Sequence, residues 1–321
     1  MKKHIYIYSP SSAVRDKAGF KRGLKRLAAS GYEVEVDEAA LSSHQRFAGD
    51  DETRIAAIHR AAGSGADVAL ISRGGYGLTR ILPAIDYHAI ARAVDRGTQF
   101  VGYSDFTALQ MALLAKTGAM SWAGPALIDD FAAAVADDIT QACFDDMATG
   151  QGEGCGWRLP KIAINSIALH PGNAGNAGED MKDSGYAINN AVLWGGNLAM
   201  LASLVGTPYL PSVKKGILFI EDVGEHPYRV ERMLAQLLQA GILAQQKAII
   251  FGQFSNYKLV AHDKGFKLGS VVQWLQSQVR ARVLTGLPFG HVATKVLLPV
   301  GQKVTLDVNG RDAFLLWGHQ H

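Results

Sequence analysis

The chain has 321 residues, 48% of them hydrophobic, enough apolar mass for two domains. Its 32 basic and 29 acidic side chains leave a formal charge of +3, and no Lys/Arg run forms a phosphate-tracking stripe, which argues against nucleic acid as a partner. No stretch approaches the ~20 apolar residues of a membrane span, and "MKKHIYIYSPSS" has no secretory apolar core, so a soluble cytoplasmic protein is expected.

In chain order, "HIYIYS" reads as a strand and "VRDKAGFKRGLKRLAASG" as a helix that ends at Gly31. "YEVEVDE" alternates with period two, and "DETRIAAIHRAAGSG" returns to helical spacing. "ADVALIS" and "QFVGY" are continuous apolar runs, as in strands buried on both faces. This alternation predicts an α/β domain over residues 1–147, with a mostly parallel sheet between helices. Residues 148–186 read as a linker or insert, because "HPGNAGNAGEDMKDSG" has no apolar periodicity. A second α/β domain is expected over 187–321. There "GILFIED" and "KAIIFGQF" are strands, and "LGSVVQWLQSQV" is a helix. "YRVERMLAQLLQAG" is a helix opened by Pro227, with Val230, Met233, Leu234, Leu237 and Leu238 on one stripe. Short antiparallel strands are expected to turn at Gly301 and at Asn309-Gly310.

Several stretches have the residue types of a site. In "FVGYSDFTALQ", Ser104 stands between a strand and a helix, at the carboxyl end where open α/β sheets build sites. The hydroxyl there is either a nucleophile facing the positive end of a helix or an ordinary N-cap. Position 106 is Phe, so the G-x-S-x-G elbow is incomplete. "SRGGYGLTR" offers Gly74, Gly75 and Gly77 in a turn whose amides could hold an anion, or merely a tight strand-to-helix turn. Glu221 and Asp222 end an apolar strand, where a carboxylate can orient a histidine or cap the next element. Among ten histidines, His291 in "GLPFGHV" is singled out by the glycine and proline around it. In "LWGGNLAML", Asn197 is a helix cap or a ligand contact. Cys143 and Cys155 supply neither a zinc set nor a disulfide scaffold.

Taken in order, "RGGYG", "GYSDFTALQ", "WGGNLAML", "GTP", "EHPYRVERML" and "GLPFGH" resemble the LD-carboxypeptidases, or muramoyltetrapeptide carboxypeptidases. The resemblance implies an N-terminal α/β sandwich, a C-terminal α/β domain with a barrel-like sheet, and an active site at their junction. It also implies a Ser-His-Glu peptidase: Ser104 as nucleophile, His291 as general base, Glu221 as orienting acid, and the amides of Gly75 and Asp105 as oxyanion hole. The implied substrate is a murein tetrapeptide that loses its terminal D-alanine, with no metal or organic cofactor and with a homodimer as the assembly. Arg73, Arg80 and Arg229 are available to bind the substrate carboxylate, and Tyr76, Trp194 and Asn197 are candidate pocket residues. Microcin C immunity peptidases, which hydrolyse aminoacyl-sulfamoyl adenylates, share the resemblance. A non-catalytic ligand-binding protein is a third reading.

Overall fold

The fully buried run Val68–Ile71 lies at the centre of the first sheet of the computed structural model, which describes residues 2–160 and 185–318. Five parallel strands make up most of that sheet: β1 (His4–Tyr8), β2 (Glu33–Val36), β3 (Val68–Ile71), β4 (Gln99–Gly102) and β5 (Ser121–Ala123). Between and after them come helices α1 (Lys17–Ala29), α2 (Asp51–Gly63), α3 (Leu78–Ile81), α4 (Tyr87–Asp95), α5 (Thr107–Thr117) and α6 (Asp138–Thr149). An aspartate precedes α1, α2, α4 and α6, and in each case its carboxylate accepts from an amide of the first turn. A cap of this kind is worth ~1 kcal/mol, and it fixes where each helix begins.

The second sheet has seven strands. They are β6 (Gly154–Arg158), β7 (Tyr186–Asn197), β8 (Ile217–Val223), β9 (Ala248–Ser255) and β10 (Arg282–Thr285), with β12 (Lys303–Asn309) and β13 (Asp312–Leu316). The order is β10-β9-β8-β7-β12-β13-β6, parallel from β10 to β7 and antiparallel from β7 to β6. Helices α7 (Leu198–Ser203), α8 (Pro227–Gln239) and α9 (Leu268–Gln278) complete this half. The stripe expected on α8 is buried at Val230, Met233, Leu234 and Leu237, with Leu238 at its margin. The edge strands β6 and β10 are linked by a side-chain bond: the Trp157 indole donates to the Thr285 carbonyl at 3.2 Å.

The turn at Asn309-Gly310 joins β12 to β13 as an antiparallel hairpin, in line with the sequence reading. At Gly301 the outcome differs. β11 (Leu298–Val300), just before it, pairs antiparallel with β5 of the first sheet, while β12, just after it, pairs with β7 of the second. Gly301 therefore hands the chain from one sheet to the other. Apolar residues run unbroken between the halves through Phe106 and Leu109 to Leu193, Leu198 and Phe219. The Gly/Asn-rich stretch near 161–184 lies outside the described residues.

Candidate active site

Strand β4 ends at Gly102, Tyr103 is extended, and Ser104 takes φ +63°. This left-handed conformation costs a non-glycine residue ~1–3 kcal/mol and persists only where the surroundings enforce it. Ser104 opens a 3-10 turn (Ser104–Phe106) that leads into α5, which begins at Thr107. No side-chain cap bond is made at the start of that segment. The Ser104 hydroxyl instead lies 3.1 Å from His291 Nε2, so the helix-cap reading of Ser104 is set aside.

His291 comes from the loop between β10 and β11, 187 residues further along the chain. Its Nδ1 is 2.8 Å from Glu221 Oε2. Glu221 is fully buried on β8, a strand whose apolar run carries it into the interior. Burial works against a charged imidazole here. The hydrogen bond to Glu221 and its negative charge, with Asp129 and Asp222 adding to it, outweigh that cost and raise the His291 pKa above the ordinary value. The three groups thus form one hydrogen-bonded chain in which the ring nitrogen facing Ser104 can take a proton once the ring is neutral.

Two further side chains hold the carboxylate end. The Asn197 amide donates to Glu221 Oε1 at 3.2 Å and to Asp222 Oδ1 at 3.0 Å. Asp222 also accepts from the amides of Ala199 and Val223. Burial, and then the charge of Glu221, push the Asp222 pKa up to about 6. Asn197 is a cap as well: its Oδ1 accepts from the Met200 amide. It is 6% exposed, and its side chain bonds to Glu221, Asp222 and the Met200 amide. Trp194 lies deeper still. It is 1% exposed in the core of the second half, and its indole donates to Gln246 at 2.9 Å. Its place in a central strand buries it, whatever the glycines beside it.

The glycine turn after β3 lies against the serine. A Cβ built on Gly74 would stand 2.8 Å from Ser104 Cβ, 3.0 Å from its Oγ and 3.5 Å from the Asp105 amide nitrogen. Gly75 has φ +120° and packs on Ser12 in the same way. Gly74 and the Asp105 amide nitrogen are therefore neighbours beside the hydroxyl. The Asp105 side chain, which the motif alone did not single out, anchors the turn: it accepts from Ser11 Oγ at 2.8 Å and from the Leu78 amide at 3.0 Å. The buried Arg54 adds a bond to the Gly77 carbonyl at 2.8 Å.

Of the three arginines, Arg80 pairs with Asp51 and Arg229 with Glu225. Arg73, next to Gly74, reaches the Ala13 carbonyl at 3.4 Å, and its buried Nε has no hydrogen-bond partner among the described residues. Tyr76 is exposed, tilted against Phe47 with Arg46 over its ring. Beside His291 opens a cleft of about 340 Å³, bordered by Tyr103, Asp129, Asp137, Thr140 and Lys295.

The description "LD-carboxypeptidase N-terminal domain" matches residues 5–124, and "LD-carboxypeptidase C-terminal domain" matches 190–306. The chain belongs to the LD-carboxypeptidase family. As an LD-carboxypeptidase family member it is a serine-type hydrolase with carboxypeptidase relatives. A solved muramoyltetrapeptide carboxypeptidase from Oxalobacter formigenes is 38% identical, with a TM-score of 0.82 over 98% of this chain and 99% of that one. A probable murein peptide carboxypeptidase of Bacillus subtilis is 29% identical, over 89% of this chain and 83% of its own length. The microcin C7 self-immunity protein of Escherichia coli is 28% identical, over 74% of this chain and 70% of its own. In this LD-carboxypeptidase the family's two domain matches fall on either side of the junction where Ser104 meets His291.

Proposed function

We propose that this enzyme removes the terminal D-alanine from murein tetrapeptides, cleaving the bond between an L-diamino acid and D-alanine. The observation that carries the reading is the hydrogen-bonded chain from Ser104 Oγ through His291 to Glu221. In this mechanism Ser104 attacks the carbonyl while His291 Nε2 takes its proton. Glu221 holds the ring in the required tautomer and stabilises the imidazolium. The amides of Gly75 and Asp105 receive the developing oxyanion. Each such donor is worth ~10²–10³ in turnover. His291 then protonates the departing amine, and water releases the acyl-enzyme, so no cofactor takes part.

We assign the carboxylate of D-alanine to Arg73. It lies next to the glycine turn, and its buried Nε has no partner among the described residues, whereas Arg80 and Arg229 are engaged by acids. Action on recycled wall peptides in the cytoplasm, as a homodimer, is part of the same proposal and rests on the family resemblance. The division of the chain into 1–147, 148–186 and 187–321, read from the strand–helix alternation and the Gly/Asn-rich stretch, is kept as part of the proposal.

The test is incubation with a murein tetrapeptide and mass analysis of the product. Loss of one alanine residue is expected with the wild-type enzyme and not with S104A, and an unchanged tetrapeptide contradicts the reading. The microcin relative gives a second reading some support. An aminoacyl-sulfamoyl adenylate offered in parallel distinguishes the two by which substrate has the higher kcat/KM.

A further inference from the structure

In "HVATKVLLPV" a single lysine interrupts an apolar run four residues after His291. Lys295 is 2% exposed, and a buried ammonium is tolerable only where acceptors surround it. Its Nζ lies 2.5 Å from Asp130 Oδ1 and 2.5 Å from the Val292 carbonyl, and 5.1 Å from the centroid of the Tyr103 ring. Asp130 lies 165 positions earlier, in a π-helical turn (Leu127–Phe131) after β5. Three more bonds join the same loop to the same region. The Lys295 amide donates to Thr140 Oγ1 at 2.8 Å, Thr140 Oγ1 reaches the Ala293 carbonyl at 3.3 Å, and Thr294 Oγ1 donates to Asp137 at 2.6 Å. The Tyr103 ring, next to Ser104 in sequence, is also 4.8 Å from the His291 ring.

The loop carrying His291 has no regular secondary structure of its own, so the distance from Nε2 to the Ser104 hydroxyl depends on what fastens the loop. Its own half supplies Glu221 and a bond from Ser255 to the His291 carbonyl. Ahead of the β11–β5 pairing, the fastening of the loop to the serine's half runs through Lys295 and the neighbouring threonines. We infer that Lys295 is a positioning residue: bonded to Asp130 and Val292 and packed on Tyr103, it clamps the His291 loop onto the half that carries the nucleophile. The inference rests on the proposed roles of Ser104 and His291.

The test uses the full-length enzyme and two variants, K295M and K295M/D130L. The double variant removes both members of the buried pair, which proteins often tolerate better than loss of one. It decides the question if K295M alone does not fold. A misplacement of ~1 Å costs about 10²-fold. The expected result is therefore a kcat for D-alanine release lower by about 10- to 100-fold with KM within about twofold, and an equal slowing of Ser104 labelling by a fluorophosphonate. Folding is checked by circular dichroism and thermal unfolding. A folded variant with wild-type kcat and labelling rate overturns the clamp. Labelling that persists in S104A overturns the reading of the site itself, so the two failures are separable.

Discussion

Gly74 carries the steric demand that bears on the nucleophile itself, because the turn after β3 touches Ser104 without a side chain between them. Its φ lies outside the left-handed range, so alanine there meets Ser104 rather than a backbone penalty. G74A is expected to lower kcat at least ~10²-fold, by displacing the hydroxyl from His291 and the oxyanion amides, while leaving the fold close to wild type. Steady-state kinetics together with thermal unfolding check both parts. For His291 the sign follows from its raised pKa: only the neutral ring can accept the serine proton, so kcat/KM falls as the pH drops through that value. The acid limb should therefore inflect above ~6.5, the ordinary histidine value. E221Q should move it to lower pH and cut kcat by about 10³–10⁴. The same pair is linked to stability. Because the folded-state value is raised, the imidazolium–Glu221 interaction stabilises the fold below the unfolded-state value, and this contribution is lost as the pH rises through the folded one. Unfolding of wild type against E221Q at pH 5 and pH 9 should show the larger gap at pH 5.

At the level of elements, the end of β7 and the start of α7 connect the fold to the acid. Gly196 lets the strand press on α5: a Cβ there would lie 2.5 Å from Thr107 Oγ1, and the same oxygen accepts from the Asn197 amide at 3.0 Å. Asn197 then caps α7 with one side-chain atom and bridges Glu221 and Asp222 with the other. Sequence pattern could find the cap but not the bridge, since β8 is the neighbour of β7 only once the sheet has formed. N197A removes a cap worth ~1 kcal/mol and leaves two buried acceptors short of a donor, at about 1–3 kcal/mol. A stability loss of about 2–4 kcal/mol in urea is expected, with a fall in kcat as Glu221 loses its support. Unchanged kcat in a destabilised N197A would restrict the residue to capping.

For the molecule as a whole, β11 is the consequential strand. It comes from the C-terminal third of the chain, yet it pairs with β5 as an edge of the N-terminal sheet. The Trp122 and Trp317 rings, 5.9 Å apart, add a contact between chain segments still further apart in sequence. With the apolar core continuous across the halves, neither half is complete without the other. Urea unfolding is therefore expected to be one cooperative transition, coincident by tryptophan fluorescence and by far-ultraviolet circular dichroism. Two resolved transitions would show the halves to be independent.

What the sequence determined by itself is what local chemistry encodes. Runs such as "ADVALIS" are strands because only a two-sided burial accommodates them, the α8 stripe recurs at helical spacing, and the glycine turns and the Ser104 joint mark where the chain must bend. The ordered motifs carried the resemblance to the family, which the domain matches bear out. What only the tertiary structure decided is which of these pieces meet. Ser104 and His291 are 187 residues apart, His291 and Glu221 are 70 apart, and Lys295 reaches Asp130 across 165. Trp194, Asn197 and Lys295 each have the residue type of a site and differ in use because of the strand, cap or loop that packing imposes on them. Periodicity reports how each element is buried, but not which distant partner buries it, because that depends on closing long loops around a shared core.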